Sequence, residues 1–326
     1  MNTSDPGVRP IGRSDLKIAP IGVGTWQWGD RSYWGYGESY GEADLEGAFQ
    51  AALNAGLNFF DTAEIYGGGE SERLLGRRLA RSDGKVVVAS KYMPAPNRFT
   101  GRALERAVDA SLERLGVDRI DLYQIHWPFS IVSHRPLMRA LASVVRAGKV
   151  RWVGVSNYGA RRLRRAHSTL AEYGVELVSN QVKYNLIDRS PEINGVLDAC
   201  RELDVTLIAY SPLGQGLLTG KYDENSQISG WRRRSPGFSK ARRAAVQPLV
   251  NELRTIATTQ GRTPAQVALN WLVRRPGIVA IPGAKNAEQV AQNAGALGWS
   301  LTEGEAAKLD AASFPWRKRG LLDRIL

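Results

Sequence analysis

Cysteine is almost absent from this chain, which has 326 residues and a single cysteine, Cys200. One cysteine excludes a disulfide within the chain, which is typical of proteins from a reducing compartment. Long apolar runs are also missing, because no stretch approaches the roughly eighteen residues that a membrane-spanning helix needs. Residues 1–6 show no apolar core of a signal peptide. We therefore expect a cytoplasmic protein without a membrane partner.

Several motifs that mark enzyme classes are missing as well. There is no Cys/His spacing of a metal site, no Gly-x-Ser-x-Gly elbow and no prominent pair of acids, which argues against zinc and hydrolytic mechanisms. The segment GVGTW at residues 22–26 lacks the last glycine of a dinucleotide fingerprint. No linker rich in proline, glycine and serine divides the chain, so residues 1–326 are predicted to form a single domain.

The chain carries a formal net charge of +12, and its arginines occur in clusters. The clusters lie at residues 161–165, 232–234, 242–243 and 317–319. Such a balance can attract nucleic acid or another polyanion, and local phosphate binding is a further alternative. The clusters are scattered and no nucleic-acid motif accompanies them, so solvated helix faces are the favoured interpretation. We expect no specific nucleic-acid partner.

Apolar runs and helical periodicity alternate along the chain after a hairpin at about residues 8–19. The predicted strands are residues 21–24, 57–60, 86–89, 120–125, 150–155, 177–178, 205–209 and 277–281. The predicted helices are residues 42–55, 70–80, 100–115, 136–147, 160–173, 192–203, 241–260, 264–275 and 286–296, with a final extra helix at 303–312. Eight strands that alternate with helices favour a closed (β/α)8 barrel over an open doubly wound sheet.

Polar side chains follow the apolar runs of these strands at their carboxyl ends. They are Asp61, Lys91, His126, Asn157, Gln181 and Tyr210. All such ends meet on one face of a barrel. A single polar residue in this position is commonly a helix cap, but six from successive strands favour a functional site. Tyr66 lies five residues after Asp61, in the loop that follows the same strand.

An acid, a phenol, an amine and an imidazole suit proton delivery to a carbonyl oxygen. A free tyrosine has a pKa of about 10, too high for it to release its proton readily near neutrality. An ammonium about 4 Å from the phenolate, at an effective dielectric of about 20, attracts it by roughly 4 kcal/mol. We therefore expect Lys91 to lower the pKa of Tyr66, Asp61 to hold Lys91, and His126 to hydrogen-bond the carbonyl.

These residues and the motifs around them resemble the aldo-keto reductases over nearly the whole chain. The matching motifs are GTW at 24–26, DTA at 61–63, YG at 66–67, SK at 90–91, IHWP at 125–128, GVSN at 154–157, Gln181, YSPL at 210–213 and IPGAK at 281–285. The resemblance implies a (β/α)8 barrel that binds NADP(H) across its carboxyl face without a Rossmann domain. It also implies that Tyr66 is the general acid/base of a tetrad with Asp61, Lys91 and His126.

The same resemblance implies a set of cofactor contacts. Tyr210 is expected to stack on the nicotinamide, and Ser156, Asn157 and Gln181 are expected to hold its carboxamide. The remaining implied contacts are Thr25, Trp26, Ser211, Leu213, Gly214, Gly216, Lys221, Gly283, Lys285, Gln289, Gln292 and Asn293.

The segment after the last strand departs from the family pattern. Many members have Lys-Ser after its Ile-Pro and an arginine further on, and these grip the 2′-phosphate; this chain has Gly283, Ala284 and Gln289 instead. Lys285, one residue further on, and the arginines at 232–234 are the candidate replacements. We expect NADP(H) to be favoured over NAD(H), and the alternative is a neutral pocket that accepts both.

The segment 214–240 is too long for a plain connection in a compact barrel. It carries Trp231, Pro236 and Phe238 together with several arginines. We expect a lid over the cofactor, and a disordered insertion is the alternative.

Trp26, Met93 and Trp127 are expected to form an apolar wall for the substrate, with ordinary packing at the barrel mouth as the alternative. The predicted function is NADPH-dependent reduction of an aldehyde or ketone carbonyl to the alcohol. The alternative is a cofactor-binding regulatory module that resembles potassium-channel β subunits. The intact tetrad and the lack of an extended N-terminal inactivation segment favour the enzyme. Neither the substrate nor the oligomeric state is predicted.

Overall fold

The computed structural model describes residues 7–82, 85–95, 98, 100–128, 134–228 and 230–318, and only the backbone of Trp231. Predictions made for residues 1–6, for Arg319 and for the Trp231 side chain lie outside the described residues.

A short hairpin precedes a closed sheet. Strands β1 (Arg9–Pro10) and β2 (Lys17–Ile18) pair antiparallel. Within the described residues, eight parallel strands then form one sheet in chain order. They are β3 (Val23–Gly24), β4 (Phe59–Asp61), β5 (Val87–Tyr92), β6 (Ile120–Ile125), β7 (Val150–Ser156), β8 (Leu177–Lys183), β9 (Thr206–Tyr210) and β10 (Ile278–Ile281). Parallel bridges from Ile21 to Ala280 and from Gly24 to Gly283 close the sheet, so the predicted (β/α)8 barrel with its N-terminal hairpin is confirmed.

Helices surround the sheet. They are α1 (Arg31–Trp34), α2 (Glu42–Asn54), α3 (Glu70–Leu79), α4 (Gly101–Leu115), α5 (His134–Arg146), α6 (Ala160–Ala171), α7 (Val196–Glu202), α8 (Lys240–Gln260), α9 (Pro264–Val273), α10 (Ala287–Ala294) and α11 (Glu303–Ala312). Their starts carry local signals. Thr263 accepts a hydrogen bond from the Gln266 amide and Gln266 caps Thr263 in return, a capping box that begins α9. The extra C-terminal helix, α11, begins with a similar box at Thr302.

Two helical segments differ from the prediction. The helix predicted at 192–203 is broken, because Gly195 adopts a left-handed φ of 80° between a 3₁₀ turn (Ser190–Glu192) and α7. Helix α1 was not predicted, since it is one turn long and begins at Asp30, whose carboxylate accepts from the Tyr33 and Trp34 amides at 2.7 and 3.2 Å.

The hairpin closes one end of the barrel. Ile11, Leu16 and Ile18 are buried in the same apolar cluster as the inward-facing residues of the sheet. Gly12 touches the sheet so closely that a Cβ atom there would lie 2.7 Å from the Val178 carbonyl oxygen. The amino-terminal end of the barrel is therefore filled, and the carboxyl end is left for polar side chains.

Strands β5, β7 and β8 run further than their apolar patterns predicted. Lys91 lies inside β5, Ser156 is the last residue of β7, and Gln181 lies inside β8. In its described residues, the segment 214–240 contains three 3₁₀ turns, Gly214–Thr219, Gly230–Arg234 and Pro236–Phe238. Among the described residues, none of the helices has the length and apolar character that crossing a membrane requires.

Candidate active site

A buried ion pair joins two neighbouring strands at the carboxyl end of the barrel. Lys91 Nζ lies 2.5 Å from Asp61 Oδ1 and donates to the Thr62 carbonyl oxygen at 2.7 Å. The exposed fractions of the two side chains are 0% and 2%. The strand register explains the meeting: Asp61 pairs with Ala89, and Lys91, two residues on, points to the same face as Ala89.

Tyr66 reaches this pair from the loop after β4. Lys91 Nζ donates to the Tyr66 hydroxyl at 3.4 Å and lies 5.0 Å from the centre of its ring. The next three residues, Gly67, Gly68 and Gly69, all have left-handed φ angles, between 56° and 90°. A Cβ atom at Gly67 would lie 2.9 Å from the Gly29 carbonyl oxygen, so the turn that presents Tyr66 requires glycine there.

Burial and charge compete at this phenol. Burial raises the pKa of Tyr66 above its ordinary value, and the nearby Lys91, which lowers it, does not compensate. The expectation of a lowered pKa is therefore wrong, because the loss of hydration on burial outweighs the attraction of one ammonium. Burial also lowers the pKa of Lys91, but Asp61 reverses this and raises it overall. Tyr66 is thus protonated and Lys91 is charged near neutral pH.

His126 directly follows β6 and completes the group. Its ring stands edge-on to the Tyr66 ring, with 5.7 Å between the ring centres. Burial, together with the charge of Lys91, lowers the pKa of His126 to about 3. Its buried Nδ1 atom has no hydrogen-bond partner among the described residues. The imidazole is therefore neutral and can serve as a hydrogen-bond donor at the mouth of the site.

A second polar group extends across the next strands. Ser156 Oγ donates to the Gln181 carbonyl oxygen at 2.9 Å, Asn157 Nδ2 donates to Ser156 Oγ at 3.1 Å, and the Tyr210 hydroxyl donates to Asn157 Oδ1 at 3.0 Å. Asn157 has a left-handed φ of 62°, which is uncommon outside glycine and is often found at functional sites. Gln181 Nε2 donates to Asp61 Oδ2 at 2.8 Å, a contact that the resemblance did not imply.

The segment after β9 turns sharply. Ser211, Gly214 and Gly216 have left-handed φ angles of 49°, 57° and 108°, and Leu213 is partly buried beside them. Asn185 Nδ2 donates to the Ser211 carbonyl oxygen at 2.9 Å and fixes the start of the turn.

The last strand and α10 place the remaining predicted cofactor residues. Lys285 Nζ lies 4.4 Å from the centre of the Tyr40 ring, and its amide donates to Gln289 Oε1 at 3.1 Å. Gly283 is exposed, Asn293 is buried, and Gln292 Nε2 donates to Glu288 at 3.2 Å. Outside these two elements, Thr25 is buried after β3, and Lys221 is exposed after the 3₁₀ turn Gly214–Thr219. Burial and then the charge of Arg232 lower the pKa of Lys285.

An aromatic wall stands beside Tyr66. Trp26 lies 6.4 Å from the Tyr66 ring and packs on Tyr33 at 4.9 Å and on Trp34 at 5.4 Å, measured between ring centres. Tyr33 and Trp34 belong to α1 and were not predicted as part of the site. Met93 directly follows β5, and Trp127 follows His126 after β6; both side chains are partly buried.

Other side chains of the site were also missed. Gln124 Nε2 donates to Asp61 Oδ2 at 3.3 Å from inside β6. Gln124 occupies an inward-facing position of the strand, where an apolar residue is expected. A polar residue at such a position was the sequence signal that could have identified it as part of the site. Glu64 and Arg98 form an ion pair at 2.7 Å beside Met93, for which the sequence carries no local signal.

The chain resembles known proteins over nearly its whole length. A model of the Aldo/keto reductase family matches residues 20–313. The chain belongs to this family. The chloroplastic pyridoxal reductase of Arabidopsis thaliana is 40% identical over 318 residues, which cover 91% of this chain and 84% of that protein.

Solved structures of the aldo/keto reductase family share the fold. The glycerol dehydrogenase of Gluconobacter oxydans has a TM-score of 0.84 at 27% identity and covers 97% of this chain and 98% of its own. An aldo/keto reductase of Klebsiella pneumoniae, solved with NADP and acetate, has a TM-score of 0.73 at 29% identity and covers 94% of each chain. The protein is therefore an NAD(P)H-dependent oxidoreductase of the aldo/keto reductase family, whose substrates are small carbonyl compounds.

Proposed function

We propose that this reductase uses NADPH to reduce aldehyde or ketone carbonyls to alcohols, with Tyr66 as the general acid. The observation that carries the proposal is the chain of contacts from Asp61 through Lys91 to Tyr66, with distances of 2.5 and 3.4 Å. This series of contacts ends at the protonated phenol of Tyr66, at the open end of the barrel and next to the neutral imidazole of His126.

The residues on the carboxyl face fit a nicotinamide dinucleotide. Tyr210 offers a ring and Asn157 an amide where the nicotinamide would lie, and the left-handed turn at Gly214 and Gly216 allows a close approach of the backbone to the pyrophosphate. The buried Oε1 atom of Gln27 has no partner among the described residues. A Cβ atom at Gly283 would lie only 3.0 Å from that atom, so glycine keeps this edge of the groove open.

The side chains of the tetrad divide the work on the carbonyl. When bound, the reduced dinucleotide supplies the hydride that adds to the carbonyl carbon. Tyr66 gives its proton to the carbonyl oxygen, and the developing phenolate is stabilised by the ammonium of Lys91. Asp61 keeps Lys91 charged and aimed, and His126 donates a hydrogen bond to the same oxygen and orients the substrate.

Lys285 and Arg232 are proposed as the contacts of the 2′-phosphate. The two cations are close enough for Arg232 to lower the pKa of Lys285, so an anion placed between them would relieve their repulsion. Arg232 also stacks on Trp34, with 5.1 Å from its guanidinium carbon to the ring centre. Its buried Nε atom has no partner among the described residues. These contacts support the proposal that the segment 214–240 forms a lid over the cofactor.

An aromatic aldehyde is the substrate class to test first. The Trp26 wall offers a flat apolar surface beside Tyr66, and the Arabidopsis relative is a pyridoxal reductase. We also propose that residues 1–326 are one domain and that the enzyme acts in the cytoplasm, without a specific nucleic-acid partner.

A panel of aldehydes and ketones that includes pyridoxal tests the proposal. Loss of NADPH absorbance is followed with each compound, and the alcohol product is identified. Turnover of at least one carbonyl that depends on NADPH is expected. Tight NADPH binding without turnover of any compound would contradict the proposal and favour a regulatory role.

A further inference from the structure

Glu64 and Arg98 form a compact ion pair beside the catalytic lysine. Arg98 donates to Glu64 through both terminal nitrogens, at 2.7 Å to Oε1 and 3.0 Å to Oε2. The Glu64 side chain is 8% exposed and the Arg98 side chain 30%. Neither residue touches Asp61, Lys91 or Tyr66 with a side-chain hydrogen bond, so the tetrad does not explain this pair.

The pair holds the backbone of the turn that follows β5. Glu64 Oε1 accepts from the Met93 amide at 2.6 Å, and Arg98 donates to the Met93 carbonyl oxygen at 3.3 Å. Both backbone groups of Met93 are thus held by the two charged side chains.

Further contacts tie the turn to β5. The Arg98 amide donates to the Ala95 carbonyl oxygen at 2.8 Å, and the Arg98 guanidinium lies 4.6 Å from the centre of the Tyr92 ring. The Tyr92 hydroxyl in turn donates to the Arg98 carbonyl oxygen at 2.8 Å. Tyr92 is the residue between Lys91 and Met93, so the turn is anchored at both ends.

We propose that Glu64 and Arg98 are positioning residues for the substrate: they clamp the turn after β5 and thereby fix Met93 as a rigid wall. The inference rests on the proposed carbonyl reductase function, and it extends that function to the selection of substrates by size. A substrate that is large enough to touch Met93 binds more favourably, because the Met93 side chain is already ordered before binding. A substrate too small to reach it gains nothing. The clamp therefore sets the ratio of kcat/KM for large aldehydes to kcat/KM for small aldehydes.

Both carboxylate oxygens of Glu64 are occupied by donors, which argues against a role in proton transfer. Burial lowers the pKa of Arg98, and the pairing with Glu64 reverses this and raises it overall. The guanidinium therefore stays charged, so the clamp does not open by titration of Arg98.

The test uses Glu64→Gln, Arg98→Met and the double variant. Glutamine keeps the shape of Glu64 but removes its charge, and methionine keeps the apolar stem over Tyr92 but removes the guanidinium. The control is the pair of changes Arg164→Met and Glu202→Gln, because these side chains form a similar ion pair at 2.6 Å on the exposed faces of α6 and α7.

Two readouts are measured on the full chain. The first is amide hydrogen exchange of the peptide that covers residues 91–98, which reports the clamp without any need for activity. The second is the ratio of kcat/KM for pyridoxal over propanal, measured with the pH profile of kcat. We expect at least about tenfold faster exchange and an about tenfold lower ratio in each single variant, since a hydrogen bond to a charged group is commonly worth that factor.

The double variant should lose no more than either single variant, because the two side chains act as a unit. If amide hydrogen exchange of residues 91–98 is unchanged in the variants, the proposal of a clamp is overturned. Equal losses for both aldehydes with a shifted pH profile also overturn it, because they would place Glu64 in the chemistry of Tyr66. If the unmodified enzyme reduces no carbonyl of the panel, the proposed function has failed, and the exchange measurement alone decides whether the clamp exists.

Discussion

Replacing Lys91 with methionine should destabilise the fold. The change removes an ammonium that lies 2.5 Å from Asp61 Oδ1. It leaves a carboxylate that is 2% exposed and that, among the described residues, keeps only the side-chain amides of Gln124 and Gln181 as side-chain donors. Breaking a buried ion pair by removing one partner typically costs about 3–5 kcal/mol. The double variant Asp61→Asn/Lys91→Met removes both charges. It should therefore be about 2 kcal/mol more stable than Lys91→Met alone.

The same change should slow the reaction. At the observed 3.4 Å from the Tyr66 hydroxyl, an ammonium attracts a full phenolate charge by roughly 5 kcal/mol at an effective dielectric of about 20. If half of that charge has developed in the transition state, the loss is roughly 2.5 kcal/mol. This corresponds to an about hundredfold fall in kcat, while the affinity for NADPH should stay near that of the unmodified enzyme.

Urea unfolding and single-turnover kinetics with saturating NADPH measure the two effects. The reasoning is refuted if Lys91→Met unfolds at the same urea concentration as the unmodified enzyme, or if the double variant is no more stable than Lys91→Met. Combining Lys91→Met with Tyr66→Phe provides the functional control, because groups that act as a unit give strongly non-additive losses. If the fold losses in kcat of the two single variants multiply in the double variant, Lys91 acts independently of Tyr66.

Three further predictions concern the cofactor, the pH profile and the surface charge. Lys285→Ala should raise the Kd for NADPH at least about tenfold and hardly change that for NADH; an equal loss for both would remove Lys285 from the phosphate site. Because the pKa values of Tyr66 and Lys91 are raised and that of His126 is about 3, kcat for reduction should be flat between about pH 5 and 9 and fall only when Tyr66 loses its proton. A midpoint near neutrality would contradict this assignment. Any association with nucleic acid should vanish by about 200 mM salt, and tight binding that survives would give the arginine clusters a polyanion partner.

Much of the fold was predictable because it depends on local pattern. Alternating apolar strands and amphipathic helices require a parallel sheet, and a parallel sheet brings its carboxyl ends together. That rule alone placed Asp61, Lys91 and His126 on one face. The break at Gly195 was not predicted, because helical periodicity continues through it and only the left-handed φ of that glycine ends the pattern.

The details of the site depend on packing and were harder to predict. The pKa of Tyr66 is the balance of burial against the charge of Lys91, and burial cannot be read from spacing. Gln181 donates to Asp61 across the barrel, a contact between residues 120 positions apart. The Glu64–Arg98 pair depends on the path of a turn, and neither residue lies in a recognisable motif.

The assignment of Tyr66 as the general acid is tested most directly by replacing it with phenylalanine. This change removes the hydroxyl that lies 3.4 Å from Lys91 and keeps the ring that packs beside Trp26 and His126. Single-turnover reduction of pyridoxal, or of the best substrate from the panel, should slow by about 10²–10⁴-fold, the usual contribution of a general acid. The Kd for NADPH should change by less than about twofold. Full activity of Tyr66→Phe would contradict the account.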